Sequence, residues 1–302
     1  MLEKSNTKIG HLACFIAYAI FGFNIIVCKD LASSQLISPI GLFCLRSIGA
    51  TLLFWAISFF LPKEKVEKTD FPKIFLASIL GFFLTQLTFL MAISDITPMD
   101  CSIVASMSPV YTMFIAAIVL KEPITLQKAG GVALSLAGIL FLIFNSASVA
   151  NVETVTKPKG ILLMIANSLC FAMYLGIFKP VISRYSVVTF MKWIFLFSTI
   201  LSLPLAGKEI FSVDYLHMPR IIIAELSFLI ICSTFISYFL IPLGQKSIRP
   251  TLVSMYSYVQ PIIAIAISIC IGMDTLNWQK TLAAITVFTG VVLVSYSRTA
   301  KS

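Results

Sequence analysis

The sequence predicts an all-α integral membrane protein whose ten transmembrane helices form two inverted five-helix repeats, with both termini cytoplasmic. Three observations carry that expectation. Of the 302 residues, 59% are hydrophobic and only 12% charged, with a mean hydropathy of +0.99, against roughly 25% charged in soluble domains. Apolar runs of about 20 residues, each able to cross a hydrocarbon core of about 30 Å, follow one another almost without pause. The stretch Pro98 to Gly138 also occurs twice. A gapless shift of 152 residues places Pro98 on Pro250, Ser102 on Ser254, Pro109 on Pro261, Glu122 on Asp274, Gln127 on Gln279, Lys128 on Lys280 and Gly138 on Gly290.

Backbone groups in lipid must be satisfied within their own segment, so each run is expected as a helix. Gly10 to Cys28 is too long for a signal-peptide core and is continued by nine further spans, which predicts that it is retained. Phe21, Asn24 and Cys28 share one face of it. Leu36 to Leu61 carries Arg46 about ten residues in, and Ile74 to Ile93 carries Gln86. In Cys101 to Leu120, the small residues Ser102 and Ser106 recur at helical spacing before Pro109. Thr125 to Asn145 holds Gly130, Gly131, Ala133, Ala137 and Gly138, small residues suited to close helix contact. A polar segment rich in Ser, Asn, Thr and Lys then joins the halves. The chain divides into a first repeat 1–145, a linker 146–159 and a second repeat 160–302.

The second half repeats the scheme. Gly160 to Phe178 places Asn167, Phe171, Tyr174 and Phe178 on one face, at positions matching the first span under a shift of 150. Val187 to Ala206, Ile221 to Leu240 with Glu225 and Tyr238, Thr251 to Ile271 with Ser254, Tyr258 and Pro261, and Asn277 to Ser297 complete it. No stretch is left for a soluble domain.

Lys and Arg set the orientation, because cytoplasmic loops are enriched in both. With the N-terminus inside, fourteen basic residues fall on the cytoplasmic side and six, Lys29, Lys157, Lys159, Lys208, Arg220 and Lys280, fall outside. Five spans per half is an odd number, so the second half enters the membrane the other way up, with Glu122 cytoplasmic and Asp274 outside. The net charge of +9 is accounted for by an inner face beside anionic lipid and calls for no nucleic acid. Seven scattered cysteines without paired spacing read as small buried apolar residues, with neither disulfides nor a metal site. His11 and His217 read as interfacial. No Gly-rich phosphate loop is present, so no nucleotide, and no other cofactor, is expected.

The run Phe21, Gly22, Phe23, Asn24 to Lys29, then Ser38, Pro39 and Arg46, then Ser102 to Pro109, Glu122, Gln127 and Gly138, with its reprise in the second half, resembles the EamA-type members of the drug/metabolite transporter superfamily. The resemblance covers about Gly10 to Arg298. It implies a ten-helix inverted fold that moves small metabolites, often amino acids or related amines and carboxylates, commonly outward across a bacterial inner membrane. Two positions depart from the pattern: Phe21 stands where the family often has Trp, and Asp274 where it often has Glu.

Polar side chains inside a span prefer the bundle interior or a wet cavity, since lipid offers them no partner. Aromatic walls with a few hydrogen-bonding tips suit a small-molecule pocket. These arguments select Asn24, Arg46, Gln86, Ser106, Tyr174, Tyr238, Tyr256 and Tyr258 as candidate substrate-binding residues, with helix packing as the competing role for each. Arg46 costs on the order of 2.5–3.5 kcal/mol at mid-membrane on insertion scales. It is expected to face protein, water or a partner, either clamping neighbouring spans or receiving a substrate carboxylate bidentately. Pro109 and Pro261 are expected to kink their helices. Glu122 and Asp274 stand at helix-to-helix turns, where an acid satisfies the amides opening the next span. Glu225 is the lone acid inside a span, so a proton relay would be poorly supplied, and proton coupling is unsupported rather than excluded.

The function expected is secondary transport, export first, of small metabolites such as amino acids or related amines and carboxylates, by alternating access around a central cavity between the repeats. Neutral or zwitterionic solutes fit the amides and hydroxyls best. The partners are a small-molecule substrate and the lipid bilayer, with the chain acting as a monomer or homodimer. Uptake of similar solutes is the alternative, as is a non-transporting receptor or assembly subunit, which would need a soluble extension to couple to a partner. A membrane enzyme would need clustered His, Asp, Glu or Cys.

Overall fold

A computed structural model describes residues 2–120, 125–148, 156–215, 217–273 and 277–295. All regular structure among the described residues is helical. The helices are α1 (Leu2–Ser34), α2 (Pro39–Phe59), α3 (Phe71–Ile93), α4 (Pro98–Val119), α5 (Leu126–Ser148), α6 (Pro158–Ile177), α7 (Val187–Ser212), α8 (Arg220–Ser247), α9 (Pro250–Met255, Tyr256–Tyr258 and Val259–Cys270) and α10 (Trp278–Ser295). A short helix, Lys179–Arg184, joins α6 to α7. Seven of these, α1 to α4 and α6 to α8, are long and apolar enough to cross a membrane, and α5, α9 and α10 contain shorter apolar stretches. Large apolar side chains crowd the periphery, Phe60 at 89% and Leu126 at 91% exposure among them. With the long apolar helices, such a surface fits contact with lipid rather than water.

Local chemistry sets the helix starts. Ser38 and Ser186 cap α2 and α7 by accepting from the backbone N–H of Gly41 and Thr189, and Thr97 caps α4 by accepting from Asp100 N–H. Pro39, Pro98, Pro158 and Pro250 occupy first-turn positions, where a missing N–H costs nothing. Three helices overrun the boundaries expected from hydropathy by six residues or more: α1 runs from Leu2 to Ser34 rather than Gly10 to Cys28, α7 continues past Ala206 to Ser212, and α8 past Leu240 to Ser247. Hydropathy marks where a helix meets lipid, whereas the backbone ladder continues until something stops it. For α8 the stop is extended Ile248 followed by Arg249 and Pro250.

Both helices with an internal proline at the repeated site are broken there. α4 is interrupted at Ser106–Met107, just before Pro109, and α9 tightens to a 3₁₀ turn at Tyr256–Tyr258, just before Pro261. The proline ring clashes with the carbonyl four residues back and lacks the donor it would bond, so the ladder re-registers at that point. α3 and α8 widen instead, into π-helical segments at Ile79–Phe83 and Leu229–Ile236. The extra residue lets Thr85 Oγ1 donate to Leu80 O (2.6 Å) and Thr234 Oγ1 to Leu229 O (2.7 Å), five residues back in each case.

The two halves pack reciprocally and upside down. Gly10 of α1 lies against Ser247 of α8, and Asn24 against Ser233, so these helices are antiparallel. In the other half Gly160 of α6 lies against Asp95, and Tyr174 against Gly81, making α6 and α3 antiparallel in the same way. Lys29 Nζ donates to Ile93 O (2.9 Å) at the C-terminal end of α3, and Lys179 Nζ to Ile248 O (2.8 Å) at the C-terminal end of α8. The start of α1 therefore shares one end of the molecule, the near end, with the C-terminal end of α8. The start of α6 lies at the opposite, far end. α5 and α10 close one side, where Ser135 Oγ donates to Val287 O (3.2 Å) across a separation of 152 residues. Gly138 allows that approach, since a Cβ there would sit 2.8 Å from Val287 Cγ2.

A clasp of charges joins the halves at the near end. Asp70, fully buried before α3, receives Lys73 Nζ (2.9 Å), Tyr185 Oη (2.8 Å) and Arg184 Nη1 (2.5 Å). Glu64 accepts from Ser186 N–H (2.9 Å), and Lys246 Nζ donates to Tyr185 O. The turn before α2 at the far end, Ser34 to Ile37, holds no charge to match Arg184, and Pro219 precedes α8 where Asp70 precedes α3.

Candidate functional site

Six helices converge on a cavity of about 60 Å³ at mid-height between the repeats. α1 contributes Tyr18, Phe21 and Asn24; α3 contributes Thr85 and Gln86; α4 contributes Ser108; α6 contributes Asn167, Ser168 and Phe171; α8 contributes Tyr238; and α9 contributes Ser257 and Gln260. Gln86 and Tyr238, related by the 152-residue repeat, meet directly: Gln86 Nε2 donates to Tyr238 Oη at 2.8 Å. Contact between repeat-related residues places this pair on the pseudo-twofold axis, and the cavity with it. Tyr238 is held edge-on by Phe21, Phe82 and Phe195, with ring centroids 5.8, 5.1 and 5.6 Å away. Such edge-to-face packing fixes the direction of its hydroxyl.

Four buried polar atoms around this one cavity have no partner: Tyr18 Oη, Gln86 Oε1, Ser108 Oγ and Ser257 Oγ. An unsatisfied buried donor or acceptor costs on the order of 1–3 kcal/mol, so four together mark a place where something else supplies the bonds. The volume holds a few waters, well short of the roughly 300 Å³ or more of an organic ligand site. A second cavity of about 670 Å³ lies toward the far end, lined by Cys28, Lys29, Ser33, Gln35, Leu42 and Thr97 among others. Asn24 and Cys28 are one turn apart on α1, one facing each cavity, so the layer between them is the wall that separates the two.

Arg46 lies in that wall. It is completely buried, with Nε donating to Thr234 Oγ1 (2.8 Å), Nη2 to Ser233 Oγ (3.3 Å), and Nη1 in a long contact with Cys28 Sγ (4.0 Å). Ser233 passes the contact on, donating to Asn24 Oδ1 at 2.5 Å.

The remaining candidates lie elsewhere. Ser106 is buried and donates to Ile103 O (2.6 Å) in its own helix. The Tyr174 ring packs parallel to Phe171, with centroids 5.9 Å apart, and covers Gly81, where a Cβ would fall 2.7 Å from Tyr174 Cγ. Tyr256 Oη bonds His11 Nδ1 (2.7 Å), tying α9 to the start of α1. Tyr258 packs edge-on against Phe288 of α10 at 6.3 Å. Pro109 and Pro261 sit at the helix breaks described above. Glu122 and Asp274 fall outside the described residues. Tyr18, Ser108, Ser257 and Gln260 are cavity residues that sequence reasoning did not select. All seven cysteines are free, and no cluster of three His, Cys, Asp or Glu occurs among the described residues.

The two halves that meet at this cavity are each matched by one model, that of the EamA-like transporter family, over residues 8–144 and again over residues 158–296. The chain belongs to the EamA-like transporter family. Two relatives agree with this membership. An uncharacterized transporter of Archaeoglobus fulgidus is 28% identical over 157 residues, 52% of this chain and 53% of that protein, so the match spans about half the relative's length. The uncharacterized transporter YyaM of Bacillus subtilis is 21% identical over 238 residues, 78% of this chain and 76% of that one. One solved crystal structure superposes with a TM-score of 0.62 over 97% of both chains at 17% identity, which shows the fold alone. As a family member with many apolar helices, the protein is a multi-pass membrane protein.

Proposed function

We propose that the protein is a secondary transporter that carries small polar organic metabolites, amino acids or related amines and carboxylates, outward across a bacterial cell membrane. In this reading the chain crosses the membrane ten times with both termini cytoplasmic, and acts as a monomer or homodimer. The observation that carries it is the convergence of Tyr18 Oη, Gln86 Oε1, Ser108 Oγ and Ser257 Oγ, all without partners, on one cavity at the repeat interface. Rocking one repeat against the other exposes that cavity to each side in turn. A solute of several heavy atoms needs more room than about 60 Å³, so the present arrangement is read as contracted between loading steps. Binding would then open the cavity and satisfy the orphaned atoms at once.

The test is solute flux in proteoliposomes, using labelled amino acids, amines and carboxylates with and without an imposed pH gradient. We expect saturable flux of one class, reduced about ten-fold when Ser108→Ala and Ser257→Ala are combined. Absence of flux for every solute from a correctly inserted, folded protein would reject transport.

A further inference from the structure

The wall between the two cavities contains a full positive charge with no negative one. The Arg46 guanidinium has five N–H donors, of which three have partners, and every partner is neutral: Thr234, Ser233 and Cys28. No ion pair reaches it, although the described residues contain several elsewhere. The nearest acid along α8, Glu225, lies beside Asp30 of α1 instead. A buried ion is tolerated when a counter-charge and hydrogen bonds replace its water. Here the hydrogen bonds are half supplied and the counter-charge is missing.

The position of this charge matters as much as its isolation. Leu42, one turn before Arg46 on α2, lines the far-end vestibule, and Cys28, which touches Arg46, lines it too. Asn24, reached from Arg46 through Ser233, lines the central cavity. A solute passing between vestibule and cavity must part this layer, and parting it uncovers the guanidinium with two donors unused. A planar fork of that kind matches a carboxylate, two N–H groups to two oxygens.

We propose that the transported solute bears a carboxylate and a net negative charge, and that Arg46 receives this group as the layer opens. The proposal rests on the transporter reading above and narrows it: neutral and zwitterionic solutes are poorer substrates than acids. Hydroxyls and amides of the central cavity then bind the rest of the solute, and the counter-charge that the resting protein lacks arrives with its cargo.

The experiment compares each acid with its own amide, which has nearly the same shape and no charge. Propionate, succinate and phenylacetate are titrated against propionamide, succinamide and phenylacetamide, with sodium chloride as the inorganic control. The readouts are thermal stabilisation of the purified full chain in detergent and flux in proteoliposomes. We expect at least one acid to stabilise the wild type with an apparent affinity about ten-fold above its amide, the factor one charge-assisted hydrogen bond supplies. Arg46→Gln should abolish the acid preference and Arg46→Lys should retain part of it, since a point charge attracts but does not fork.

Equal response to acid and amide in the wild type overturns the proposal, whether or not either variant folds. So do an acid preference that survives in Arg46→Gln, stabilisation by chloride equal to that by the acids, and stabilisation by none of the probes. Flux of neutral solutes without acids would sink the proposal and leave the transporter reading standing. Acid-selective stabilisation without flux of any solute would reject transport, and with it the transported acid, and leave Arg46 only as a carboxylate-binding group.

Discussion

Tyr238 and Gln86 show how much of the site one hydrogen bond organises. Gln86 Oε1 already lacks a partner, and Nε2 depends on Tyr238 Oη. Tyr238→Phe would leave the whole amide unsatisfied, a loss on the order of 1–3 kcal/mol. The ring contacts to Phe21, Phe82 and Phe195 are kept, so the fold survives. We expect a lower melting temperature and about ten-fold less flux; wild-type values of both would show that the pair contributes nothing. Asn24, Gln86 and Tyr238 were legible in the sequence because amide and phenol groups recur at repeat-related positions in apolar runs. Ser108 was not. Ser106 and Ser108 look alike in sequence, yet Ser106 bonds its own helix while the break at Ser106–Met107 turns Ser108 toward the cavity. A hydroxyl that bonds the preceding turn and one that waits for a ligand differ only in backbone register.

At the scale of elements, hydropathy located every apolar run and the repeat paired them, because lipid constrains composition strongly. The π-helical segments left no such trace. An extra residue per turn changes no residue type; it is selected by the packing of side chains around it. In α3 the packing partner is identifiable: Gly81, within the π segment, lies under the Tyr174 ring. Gly81→Ala would place a Cβ 2.7 Å from Tyr174 Cγ, and a ring that is 1% exposed has nowhere to retreat. Overpacking of this kind costs about 1–3 kcal/mol. We expect a lower melting temperature for Gly81→Ala, restored in part by Tyr174→Leu in the same chain but not by Tyr174→Phe. Equal melting temperatures for Gly81→Ala and wild type would mean that α3 and α6 have slack at this crossing.

For the whole molecule, the charged loops read in sequence only as a basic cytoplasmic face, and their pairing emerged from the fold. Asp70 belongs to one repeat, Arg184 and Tyr185 to the other. Hydrogen bonds from Lys73, Tyr185 and Arg184 hold the Asp70 carboxyl down at about 2, below the ordinary value of about 3.9. A carboxyl depressed in the folded state stabilises fully above its ordinary value, and that contribution is lost as pH falls toward the folded value. The melting temperature of wild type should therefore exceed that of Asp70→Asn by a constant amount from pH 8 to about 5, and the gap should close between about 4 and 2. A gap that persists at the acid limit, or none at neutral pH, would remove Asp70 from the clasp.

Two inverted copies of one unit would, if identical, spend equal time facing either side. This chain is not even-handed. The near end is closed by the Asp70 clasp, whereas the far end keeps a vestibule of about 670 Å³ beside its own salt link, Lys157 Nζ to Asp95 Oδ1 at 2.6 Å. If the proposed alternating access holds, a turnstile weighted in this manner idles with one door ajar, and the work of each cycle falls on unlatching the other.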